Sequence, residues 1–360
     1  MRRLARRLAA ARAGTGGDSR QRLQVTVETL VWTFASEPKA ARLCLIEIFA
    51  AGPPGLERMR RASVTLDSAI RDGLTVSGDG VAVPEELVKG LIGGLMGAVR
   101  SVLLRGREAE LHDLADRLVE WALSCCGARL PRARPLESPA TGVEETYEEG
   151  GWIGNERMQI VTAAKRLAAG GGYRWLTVPR ICSTAGVSGK TFADHFEEVD
   201  ECFFDAAELV LVEEAKLSLR RGAVGRGWAG KVYRTIGAFC ERVARDPDLV
   251  RVGLLEILAP GAEGVRRRER LIEIGAETLR RSAPAGVRLG KLEAETSLGA
   301  VWGTVNHHVF RGGASCLPHC AAGLSFLILA PALGPRTASQ AIEAELDRDR
   351  EELAVVARAG

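Results

Sequence analysis

Between positions 177 and 195, six residues stand as candidates to hold phosphate: Thr177, Ser188, Gly189, Lys190, Thr191 and His195. Hydroxyls, an ammonium, an imidazole and the free N–H groups at a helix start all donate to phosphate oxygens or base edges. Thr177 and Ser188 have a second use, because either can cap a helix. His195 can donate to a phosphate or pack behind Phe196. A second candidate cluster, HHVFRGGASCLPHC from His307 to Cys320, offers nitrogen and sulfur ligands. Its spacing fits no standard zinc module, which carries two CxxC-like pairs, so no metal is expected. The adjacent Cys125 and Cys126 read as one core-facing thiol and its neighbour. Glu47 and Glu256 recur in similar apolar settings, LCLIEIFA and VGLLEILA. Each can face a ligand, cap a helix or pair with Arg42 or Arg251. No Ser-His-Asp spacing, phosphate loop or HExxH is present, so neither an enzyme nor a cofactor is expected.

The elements that would carry the phosphate-binding set can be read locally. Ile160, Ala163, Ala164 and Leu167 form one helical face, and Gly170 to Gly172 stop that helix. Thr177 can cap a second helix carrying Val178 and Ile181, with Pro179 tolerated in its first turn. Gly186 permits a tight turn, and Ser188 can cap a third, short helix through Lys190, Thr191 and Phe192. Two short helices joined by a glycine turn make a helix-turn-helix, whose second helix enters the major groove. Ile160, Leu167, Ile181, Val187, Phe192 and Phe196 are its core.

The spacing of Ile160, Ala163-Ala164, Leu167, Gly172-Tyr173, Leu176-Thr177-Val178, Ile181, Ala185-Gly186-Val187-Ser188, Thr191-Phe192 and His195-Phe196 resembles the DNA-binding domain of the TetR family of bacterial regulators. The resemblance covers about 50 residues. It implies an all-α protein whose C-terminal domain binds a small ligand and dimerises, so that ligand binding separates the recognition helices and frees the operator. The implied partners are a double-stranded DNA operator and a small-molecule effector. Two positions depart from the family: Ala193 replaces a Tyr that meets a phosphate, and Val199 stands where a Lys commonly follows the His-Phe pair. Weaker, more salt-sensitive DNA binding follows from the loss of two such contacts.

Around this head the chain repeats itself. The pattern Ala35, Pro38, Arg42, Leu45, Glu47, Ile48, Ala50, Gly52, Gly55, Arg58, Arg61 recurs, without a gap, as Ala244, Pro247, Arg251, Leu254, Glu256, Ile257, Ala259, Gly261, Gly264, Arg267, Arg270. The shift is constant (244 − 35 = 209; 270 − 61 = 209), which a duplication explains. At the same shift Gly90 and Gly94 fall on Gly299 and Gly303, and these small residues mark candidate pairing helices. Asn155 to Leu209 has no counterpart in the first copy: either that segment was lost or the reading frame begins upstream of Met1.

The expected organisation is therefore a headless TetR C-terminal-like helical domain over 1–130, an acidic Pro/Gly linker over 131–152, the helix-turn-helix domain over 153–204 and a C-terminal ligand and dimerisation domain over 205–360. The two bodies form a homo-dimer or an internal pseudo-dimer. Pro38 and Pro247 mark helix boundaries. Of the 360 residues, 46% are hydrophobic, 26% charged and only 5% aromatic, which fits a globular helical chain and excludes wholesale disorder. A net charge of +3 does not by itself indicate nucleic acid. The start MRRLARRLAAARAG has no continuous apolar core and reads as a basic amphipathic helix rather than a signal peptide. The longest strongly apolar run, near Leu324 to Leu333, is too short to span a bilayer, so no membrane partner is expected. Eight scattered Cys point to reduced thiols in the cytoplasm. A ligand-responsive repressor, released from its operator by a small lipophilic molecule, accounts for these features. The alternative is a ligand sink or hetero-dimer partner with weak or no DNA binding of its own.

Overall fold

The structure, a computed structural model, describes residues 2–13, 18–75, 83–127, 130 and 155–359. The linker expected at 131–152 lies outside the described residues. These are helical throughout, with no strand among them. The first half comprises α1 (Arg2–Ala13), α2 (Ser19–Ser36), α3 (Pro38–Leu45), a 3-10 turn (Glu47–Ala51), α4 (Gly52–Leu74), α5 (Glu85–Leu104) and α6 (Leu111–Ser124). After it come α7 (Glu156–Gly171), α8 (Val178–Ala185) and α9 (Gly189–His195). The long α10 (Val199–Gly222) leads into α11 (Gly227–Arg245), α12 (Pro247–Leu254), α13 (Ala262–Ser282), α14 (Lys291–Phe310), α15 (Leu317–Leu333) and α16 (Pro335–Ala359).

The boundaries follow from local chemistry. Asp18 caps α2 by accepting the Gln21 N–H at 2.9 Å, and Asp246 caps α12 through the Leu249 N–H at 3.0 Å. Pro38 and Pro247 open α3 and α12, where a missing N–H costs nothing. Leu23, Val27, Leu30, Val31 and Phe34 are all buried, as their spacing requires. In α1, Leu4 and Leu8 are buried while Arg7 reaches Thr33 and Ser36 of α2, so the basic amphipathic reading holds.

The halves correspond element by element at the shift found in the sequence. Pro38–Leu45 maps onto Pro247–Leu254 with both ends coincident; α2, α4, α5 and α6 map onto α11, α13, α14 and α15, and α1 onto the second part of α10. The two halves meet where α5 lies along α14. At Gly93 a methyl group would stand 2.8 Å from the Gly303 Cα, and at Gly94 it would stand 2.8 Å from the Thr296 carbonyl oxygen. Gly90 faces Leu327 and Thr304, and Gly299 lies against Gly94. The glycines that recur in the sequence are thus at the contact, joined by Gly93.

Glu85–Leu104 and Ala314–Leu333 are long and apolar enough, by length and composition, to cross a membrane. The run near Leu324 to Leu333 underestimated this, because glycines and small residues extend the charge-free stretch on its amino-terminal side. Both helices are mostly buried, α5 along α14 of the other half and α15 chiefly among α11, α14 and α16 of its own, which is the setting of core helices.

Replacing Gly303 by Leu should destabilise the protein by about 3 kcal/mol, since backbone rather than a pliable side chain stands in the way. Urea denaturation of the full chain measures it; an unchanged midpoint would mean that the crossing is not close-packed in solution.

Candidate nucleic-acid interface

The head is built from α7, α8, α9 and the first turns of α10 around Ile160, Ile181, Phe192, Phe196 and Phe203, all buried. Leu167 and Val187 pack more loosely at its edge. Gly172 (φ +76°) stops α7, and Gly186 (φ +71°) makes the left-handed turn between α8 and α9. Ser188 caps α9: its Oγ accepts the Thr191 N–H at 3.0 Å and lies 2.9 Å from the Thr191 hydroxyl. Lys190, Gly189 and Ser188 are exposed and Thr191 is half-buried, so the start of α9 projects a hydroxyl, an ammonium and N–H groups into solvent. Nothing packs against the Gly189 Cα.

Two expected roles are not met. Thr177 occupies the N-cap position of α8, but its side chain makes no capping bond. Its hydroxyl is exposed and available to an outside acceptor. His195 does not stand free as a phosphate donor; its Nε2 lies 3.5 Å from Glu156 Oε2 on α7. Both depend on which rotamer tertiary neighbours select, which spacing does not encode.

Several contacts were not visible in the sequence. The Arg180 guanidinium stacks 4.0 Å from the centroid of the half-exposed Trp175 ring and donates to the Trp175 carbonyl at 3.2 Å. Asp200, one of the acidic residues after Phe196, accepts the Tyr173 hydroxyl at 2.5 Å; burial, and after it that carboxylate, push the Tyr173 phenol up. Glu201 accepts the Glu197 N–H at 3.0 Å. Part of this acidic surface therefore braces the head. Val199, where a Lys was looked for, packs its apolar side chain on the head core, and Ala193 is exposed.

The recurrent Arg and Glu explain how the head is held. Glu256 Oε2 accepts the Tyr173 N–H at 2.9 Å, and Arg251 donates to the Ala169 carbonyl at 3.3 Å. The two side chains are 3.4 Å apart. Together they satisfy a carbonyl and an N–H left over at the end of α7, while Val252 is fully buried beneath the head. The first half keeps the same residue types without the same partners. Glu47 is exposed, Arg42 donates to the Leu103 carbonyl instead, and Leu43, equivalent to Val252, is 61% exposed.

The other candidates carry less. His307 lies 3.2 Å from Glu85 and His308 is 3.7 Å from Cys320, but among the described residues no three His, Cys, Asp or Glu side chains converge on a metal position. Burial pushes the Cys126 thiol up to about 11 and Cys125 higher still, opposite to what a reactive thiolate needs.

A glycine-turned helix pair with a capped, exposed recognition helix, carried on an all-helical body, is the build of a bacterial transcriptional regulator. Residues 160–206 match the family model of bacterial regulatory proteins of the tetR family, so the head is a TetR-family DNA-binding domain. Among solved structures, the chain is similar to the fatty acid degradation regulator FadR from Bacillus halodurans, with 18% identity and a TM-score of 0.40 over 49% of this chain and 95% of that one. No curated protein matches the chain.

Replacing Glu256 by Ala should loosen the head by about 2 kcal/mol, the usual worth of a hydrogen bond to a charged group. Hydrogen exchange at the Tyr173 amide should accelerate accordingly; unchanged protection would mean that this carboxylate does not hold the head.

Proposed function

We propose that this transcriptional regulator is a repressor that binds a double-stranded operator through the start of α9 and is released by a small lipophilic effector. The observation that carries the DNA reading is the Ser188-capped helix, which presents Lys190, Thr191 and the free N–H of Gly189 at the outer surface of a rigid head. Thr177, at the start of α8, adds an exposed hydroxyl where the first helix of such a pair crosses the backbone. His195 contributes only once its pairing with Glu156 is released. The organisation that accompanies this reading is a first repeat over 1–130, a linker over 131–152, the head over 153–204 and a second repeat over 205–360, acting as a cytoplasmic protein with reduced cysteines.

The effector reading has a physical condition attached. A cavity of about 40 Å3 lies between α5, α13 and α14, bordered by Gly97, Ser101, Arg105, Arg268 and Glu295. That volume suits about three waters, whereas drug-sized ligands need several hundred Å3. A lipophilic effector entering at this cavity must therefore part α5, α13 and α14. A second reading, a ligand sink or hetero-partner with little DNA binding, is favoured by one observation: the first half leaves Leu43 and Glu47 exposed at the positions whose equivalents, Val252 and Glu256, support the head in the second.

Footprinting on the DNA flanking the gene, at two salt concentrations, separates the readings. A protected half-site or palindrome with steep salt dependence supports the regulator, and Lys190→Ala should then lower the slope of log affinity against log salt by about 1. Thr191→Ala should weaken binding without changing that slope. No protection at low salt would favour the sink.

A further inference from the structure

We propose that the contact between the halves is coded so that the first repeat pairs only with the second, and does so inside one chain. The inference rests on reading the halves as repeats, because it compares each contact with what the other repeat carries at the equivalent position.

Three contacts make the code. Arg100 of α5 is buried and its Nη1 lies 3.1 Å from Glu269 Oε1 of α13. The position of the first repeat equivalent to Glu269 is Arg60, so two first repeats in this arrangement would bring arginine against buried arginine. The same pairing fails at Trp121, whose indole N–H donates to Ser297 Oγ at 3.1 Å in a buried site. The equivalent of Ser297 is Val88, which would leave that donor without an acceptor. Two second repeats fail for a different reason. At the crossing, Gly93 leaves no room for even a methyl group beside Gly303, and the second repeat carries Trp302 at the position of Gly93.

The rim repeats the logic. Arg105 pairs with Glu273 and lies 3.7 Å from Glu295, and Arg117 lies 3.7 Å from Glu293. On this side the first repeat supplies the cations and the second the carboxylates. Glu273 has Val64 as its equivalent, and Arg105 has Ala314, so neither like pairing rebuilds the ion pair. Favourable contacts in one pairing and a like charge, an orphaned donor or a steric block in the others make a specificity device rather than a generic apolar seam.

The test uses the full chain. Arg100→Glu and Glu269→Arg should each lower the melting temperature by roughly 5 °C or more, and the two together should lose less than the sum of the singles. The remaining loss comes from the Arg100 bond to the Leu45 carbonyl and from the Arg268–Glu269 pair. If either buried variant fails to fold, Arg105→Glu with Glu273→Arg, at the half-exposed rim, gives the same pattern with smaller shifts. A double variant no more stable than the sum of its singles would overturn the code. Light scattering across a hundredfold range of concentration should give the mass of a single chain. A dimer that Gly93→Leu dissociates would mean that these helices pair between chains, and would overturn the second part of the proposal. Neither measurement involves DNA, so an absent footprint and a failed rescue are separate results.

Discussion

At the crossing of α5 and α14 two backbones approach so closely that one added methyl group has no place. The relations between the two halves follow from this contact. It brings Arg100 within reach of Glu269 and Trp121 within reach of Ser297, and it buries the apolar α5 against the second half. Side-chain seams can slide by partial repacking, whereas a backbone contact has one register. The head is seated on the halves so joined.

The head is joined to that base unequally. From the second half, Glu256 and Arg251 hold the end of α7, and α10 runs unbroken from the head into the body. From the first half, Phe49 enters the same apolar cluster, and the Arg174 side chain lies over Gly52, where a Cβ would meet its Nη2 at 2.5 Å. A displacement between the halves would thus be felt at Tyr173 and Arg174, adjacent residues just ahead of the recognition pair.

Much of this was legible in the sequence where the determinants are local. Ser188 as a cap, Gly186 as a turn and Pro38 and Pro247 as helix openers each act within a few residues, so spacing reveals them. The constant shift exposed the correspondence of α3 with α12 before any geometry was known. What escaped was tertiary. Thr177 sits at a cap position but makes no capping bond, and His195 turns to Glu156. The Glu256 carboxylate was open to three roles, and only the end of α7 arriving beside it selects one. The same residue type at Glu47 is exposed, so similar local sequence led to different surroundings. Gly93 was not singled out because it has no glycine partner at the repeat distance; its equivalent is Trp302.

That last difference has an evolutionary reach. In a dimer of identical chains, every substitution appears on both sides of the two-fold axis at once, so an arginine gained on one face must also be tolerated on the other. Here the two sides of the crossing are written in separate stretches of one polypeptide, and a change enters only once. A glycine can face a glycine while its counterpart becomes a tryptophan, and cations can gather on one helix while acids gather opposite. The halves are thereby free to drift towards different duties, one bearing the head and the other bearing what a symmetric partner could never be spared to become.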